Sequence, residues 1–83
     1  MQTHELKTWK EFYQAVVSCH KTFEVRKDDR NFQEGDYLKL VEIDPDNNMQ
    51  STGERSYYCI TYILKGEEWG IMDGYAVLGI VKL

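Results

Sequence analysis

Lys21-Thr22-Phe23-Glu24-Val25-Arg26-Lys27 alternates polar and apolar residues from Thr22 to Arg26. A period of two is the period of a β-strand, so the stretch is expected to carry Phe23 and Val25 on an interior face. Thr22, Glu24 and Arg26 then share the opposite face, three polar groups at i, i+2 and i+4. Arg26 offers a planar fork that matches phosphate or carboxylate, and Lys21 adds a point charge at the strand entrance. Glu24 either accepts from a base amino group or neutralises Arg26. A surface strand of a half-covered sheet produces the same alternation, so the pattern alone does not make a site.

Toward the N-terminus, Thr8-Trp9-Lys10-Glu11 has the form of a capping box, Thr8 bonding the N3 amide and Glu11 reaching back. Trp9, Phe12, Tyr13, Val16 and Val17 follow at i, i+3, i+4, i+7 and i+8, predicting a helix over about residues 8–19 with this stripe packed in the core. Thr3 to Lys7 reads as a short strand with Leu6 inward.

Toward the C-terminus, a polar loop from Asp28 to Glu34 is interrupted by Phe32, and Gly35-Asp36 turns the chain. Tyr37 to Ile43 is a strand with Leu38 and Leu40 on one side. Asp44-Pro45-Asp46-Asn47-Asn48 is turn chemistry, and the polar residues up to Gly53 predict a protruding hairpin tip. Arg55 to Leu64 carries apolar groups on both faces, which predicts a central strand covered on both sides. A glycine-punctuated loop, Lys65 to Gly74, holds Trp69, and Tyr75 to Leu83 closes the chain as a strand. The order β-α-β-β-β-β predicts an α+β fold. One N-terminal helix accompanies about five mostly antiparallel strands, curling into a small barrel that hides its edges.

The 83 residues fit one domain, residues 1–83, and 42% apolar content is enough for a core. The formal charge of −4 argues against bulk electrostatic capture of nucleic acid. Its distribution is uneven: residues 1–30 hold six basic and five acidic groups, and residues 31–83 hold four and nine. Lys21, Arg26, Lys27 and Arg30 crowd one segment, either as a basic rim or as a solvated mixed surface with Glu24, Asp28 and Asp29. Cys19 and Cys59 lie 40 residues apart and read as reduced cysteines in a cytoplasmic protein. His4 and His20 show no ligand spacing, so no metal or cofactor is expected. The N-terminus lacks the pattern of a signal peptide, and no apolar run is long enough to span a bilayer. A monomer is expected.

Lys21-Thr22-Phe23-Glu24-Val25-Arg26 resembles the K-T-x-E/T-x-R motif of ASCH domains, members of the PUA-like superfamily. His4-Glu5-Leu6-Lys7, Phe32-Gln33-Glu34-Gly35-Asp36, Tyr62-Ile63-Leu64-Lys65-Gly66 and Gly74-Tyr75 extend the similarity over nearly the whole chain. They resemble a small ASCH-related family of unknown function found as short bacterial and phage proteins. The resemblance implies a PUA-like pseudobarrel with a cleft beside the motif strand, and binding of RNA or modified nucleotides. Arg26, Lys21, Lys7 and Arg30 are then expected at phosphate, Glu24 and Thr22 at a base edge, and Phe32 or Trp69 as a stacking face. Some ASCH proteins are amidohydrolases acting on N4-acetylcytidine, which implies Lys21, Thr22 and Glu24 as the corresponding catalytic set. In those enzymes the second motif threonine is the nucleophile, and here Glu24 stands in its place. A carboxylate does not substitute for a hydroxyl that must form and release an ester. Cys19 departs from the resemblance too, since relatives often carry glycine after the helix.

Overall fold

Leu38 and Leu40, Tyr58 and Ile60, and Ala76, Leu78 and Ile80 are buried at alternate positions of three long strands, and their shared face builds the sheet. The computed structural model describes residues 1–67 and 69–83. It runs β1 (Thr3–Trp9), α1 (Lys10–Val17), β2 (Phe23–Lys27), β3 (Tyr37–Asp44), a 3-10 turn (Pro45–Asn47), β4 (Gln50–Lys65) and β5 (Tyr75–Lys82). The sheet order is β1-β3-β4-β5-β2. The β1–β3 pair is parallel and the other three pairs are antiparallel. Parallel strands need a crossover, which α1 and β2 provide. The result is a five-stranded, mostly antiparallel sheet curled into a half-barrel, with Tyr13 and Val16 of α1 completing the core on its inner face.

The helix begins later than the capping box predicts. The β1–β3 ladder continues through Thr8↔Glu42 and Trp9↔Ile43, so Thr8 is a strand residue. Trp9 becomes the N-cap with no side-chain cap bond. Two further ladder positions outweigh a cap worth about 1 kcal/mol. The aromatic stripe is correspondingly split: Tyr13 and Val16 are buried, whereas Trp9, Phe12 and Val17 are exposed.

A second correction concerns β2, whose faces are the reverse of the expected ones. Glu24 pairs with Leu78 and Arg26 with Ala76, two residues fixed on the inner face, so the polar side chains inherit that face. Phe23 and Val25 point outward and are exposed. Strand β4 is central but not covered on both sides. Only Tyr58 and Ile60 are buried on it, and a register shift between Ile60 and Tyr62 sends Tyr62 outward while Ile63 packs on the core. The hairpin tip is also shorter than expected, because β4 already starts at Gln50.

The interior polar groups are fully partnered among the described residues. His4 Nε2 lies 2.9 Å from Asp36 Oδ2, and Asp36 also accepts from the Gln2 and Gln33 amides. Glu42 accepts from Gln14 Nε2 at 2.7 Å and Thr52 Oγ1 at 2.6 Å, tying α1 to the β3–β4 hairpin. Among the described residues no helix is long and apolar enough to cross a membrane.

Candidate functional site

Curling the sheet brings its two edge strands, β1 and β2, face to face across a seam, and the candidate site lies there. Arg26 on β2 spans the seam. Its Nη1 donates to the Lys7 carbonyl at 3.0 Å and its Nη2 to Thr8 Oγ1 at 2.9 Å. Farther along, Arg30 Nη1 donates to the Glu5 carbonyl at 2.8 Å. Two arginines thus occupy carbonyls two residues apart on the β1 edge, satisfying acceptors that a neighbouring strand would otherwise take.

Glu24 anchors the cations from below. Its side chain is nearly inaccessible, and Oε2 accepts from Lys21 Nζ at 2.6 Å. Oε1 accepts from Arg26 Nη2 at 2.9 Å and Nε at 3.2 Å. Such a carboxylate is tolerated in the interior because both oxygens meet charged donors. The Lys21 ammonium also lies 5.3 Å from the Phe12 ring centroid and 5.4 Å from that of Phe23, so aromatic faces hold it in place.

Above this layer opens a cleft of about 380 Å³, lined by Lys7, Thr8, Trp9, Phe12, Lys21, Glu24, Val25 and Arg26. One wall is aromatic: Trp9 and Phe12 stack with centroids 6.3 Å apart and remain 48% and 43% exposed. Adding Lys21 and Arg26 and subtracting Glu24 leaves the floor with one net positive charge, and Lys7 on the rim adds another.

Of the residues singled out from sequence, Lys7, Lys21, Glu24 and Arg26 converge on the cleft. Thr22 does not: it lines a separate hollow of about 210 Å³ with Cys19, Tyr58 and Lys82. Arg30 is spent on the β1 edge. Phe32 offers no stacking face, being 1% exposed and packed edge-on against His4 at 4.8 Å. Its apolar ring joins the core cluster with Leu6, Leu38 and Leu40 instead. Trp69 is exposed in the β4–β5 loop and is not part of the lining. Glu24 neutralises its neighbours rather than projecting toward a ligand, and four of the five Arg26 N–H groups are similarly engaged. Thr8, Trp9 and Phe12 were missed as site residues. Their signal was two aromatics three apart immediately after a strand that neighbours the motif strand, but helical periodicity reads them as core.

Among the described residues no group of three His, Cys, Asp or Glu is placed to hold a metal ion.

A half-barrel whose seam is laced by arginines and roofed by two exposed aromatic rings defines the class: a small α+β domain with a cationic, aromatic-walled edge cleft. The chain belongs to the family described as Domain of unknown function (DUF3850), whose sequence profile matches residues 3–80. No curated protein matches it.

Proposed function

We propose that the seam cleft binds a nucleotide or a single-stranded RNA segment, its base lying on the Trp9–Phe12 wall and its phosphate beside Lys21 and Lys7. The observation that carries this reading is the pairing of exposed stacked rings with a net cationic floor in one hollow. Its volume, about 380 Å³, falls within the roughly 300–1,000 Å³ of small-ligand sites. Aromatic stacking accepts any base, and the ammonium of Lys21 keeps two N–H groups for an anion. The resemblance to ASCH domains and the PUA-like superfamily supports the same ligand class and is part of this proposal.

Titration with nucleoside monophosphates and short RNAs, followed by NMR chemical shifts, tests it. Shifts are expected at Trp9, Phe12, Lys21 and the β2 amides. Unchanged spectra at low salt and high micromolar ligand would reject it.

Hydrolysis of an acylated nucleoside is a second reading, favoured by the short Lys21–Glu24 pair at the cleft floor. It has weaker support, since Thr8, the one hydroxyl residue lining the cleft among the described residues, accepts from Arg26 and donates to the Leu6 carbonyl. Incubation with N4-acetylcytidine decides it: turnover that disappears in Lys21→Ala supports it, and no turnover rejects it.

A further inference from the structure

Thr22 shares the polar face of Glu24 and Arg26 in sequence, yet the seam cleft leaves it out. Its carbonyl accepts from the Ile80 amide at 3.1 Å, one step beyond the Phe23↔Gly79 pair. That register carries its side chain to the inner face at the mouth of the half-barrel. Lys82 pairs with Tyr58 and lies two residues past Ile80, which puts it on the same face. With Val16 of α1 and Cys19 just beyond it, these residues surround the hollow of about 210 Å³. The residue common to this hollow and the seam cleft is Lys21. Its ammonium lies 5.3 Å and 5.4 Å from the Phe12 and Phe23 centroids, and Glu24 fixes it there at 2.6 Å. The two hollows meet at one positioned cation.

The smaller hollow has an apolar floor and a polar rim. Val16, Tyr58 and Ile80 are buried, and the Tyr58 hydroxyl is already bonded to Ser56 Oγ at 3.0 Å. Thr22 and Lys82 are exposed, and Lys82 has no salt bridge among the described residues. No carboxylate side chain is in the lining. Glu24, the acid nearest to it through Lys21, has both oxygens taken by Lys21 and Arg26. Leu83, at the chain end, donates its amide to the Tyr57 carbonyl and lies outside the lining. Two lysines over an apolar floor, with a hydroxyl that both donates and accepts, suit a nucleoside tethered by phosphate.

We infer that the two hollows form one extended site for an RNA dinucleotide. The first base lies on the Trp9–Phe12 wall and the bridging phosphate sits at Lys21. The second nucleoside occupies the smaller hollow, where Thr22 Oγ1 and Lys82 Nζ supply its hydrogen bonds. This rests on the cleft reading above and adds to it the length of the ligand. Trp9 fluorescence in Trp69→Phe protein, titrated at low salt with uridine monophosphate and with the dinucleotide pUpU, tests it. The dinucleotide is expected to bind about tenfold tighter, the size of one added charge-assisted hydrogen bond. Thr22→Val and Lys82→Ala should each erase most of that gain and leave the mononucleotide affinity unchanged, which also reports that the variants fold. NMR shifts of the Thr22 and Val81 amides should appear with the dinucleotide alone. Mononucleotide binding with no gain from the second nucleotide, or a gain that survives both variants, overturns the inference while the cleft reading stands. Failure of both ligands to bind overturns the two together.

Discussion

Glu24 and Asp36 are buried carboxylates with opposite kinds of partner. Glu24 sits between a lysine and an arginine, so its charge is balanced on the spot and it holds both cations in the orientation the cleft needs. Asp36 faces a histidine and two backbone amides, joining β1 to the loop before β3. Its carboxyl is held below the ordinary 3.8, first by the bond to His4, with the Gln2 and Gln33 amides assisting and burial opposing. A depressed folded-state pKa stabilises the fold fully above 3.8, and this contribution is lost as pH falls from there through the folded value. Urea denaturation as a function of pH should therefore show stability dropping below about pH 4, and Asp36→Asn should flatten that drop. An unchanged slope in the variant would contradict this role. None of it was legible in sequence, because neither Asp36 nor its pairing with His4, 32 residues away, carries a local signal.

At the scale of elements, the boundaries were set by competition between local and long-range bonding. Thr8 and Glu11 have the right chemistry for a cap, yet the parallel ladder with β3 claims Thr8, and α1 shrinks to Lys10–Val17. Just past the Ser18 C-cap, Cys19 turns the chain out of the helix with φ of 66°, its amide bonded to the Val16 carbonyl. The left-handed conformation strains any residue with a Cβ. Cys19→Gly is accordingly expected to stabilise the protein by about 0.5–1 kcal/mol, read as a higher urea midpoint. A lower midpoint would mean that the thiol's packing outweighs the strain. The strand alternation of 22–26 was legible, but its direction was not. Which face is interior depends on the β5 residues that Glu24 and Arg26 oppose. Arg26→Lys removes the fork that joins β2 to the β1 edge. It should cost about 1–3 kcal/mol and speed hydrogen exchange of the β2 amides. Exchange rates matching the native protein would show that the seam is held elsewhere.

For the whole molecule, the α+β class, the five strands and the early helix followed from periodicity and turn chemistry, because these are encoded over a few neighbouring residues. The sheet order, the parallel β1–β3 pair and the bulge that turns Tyr62 outward depend on register between distant segments. Half of the candidate site was visible for the same reason. The charged trio lies within six residues, whereas its aromatic wall reaches it only when the sheet curls and β1 meets β2. The central claim is that Trp9 is the stacking surface of a nucleotide cleft. Fluorescence of Trp9, isolated in a Trp69→Phe background, tests it most directly during titration with nucleoside monophosphates. Saturable quenching is expected, and Lys21→Ala should weaken the binding by about tenfold through loss of a charge-assisted phosphate contact. Emission that stays constant up to millimolar nucleotide would contradict it.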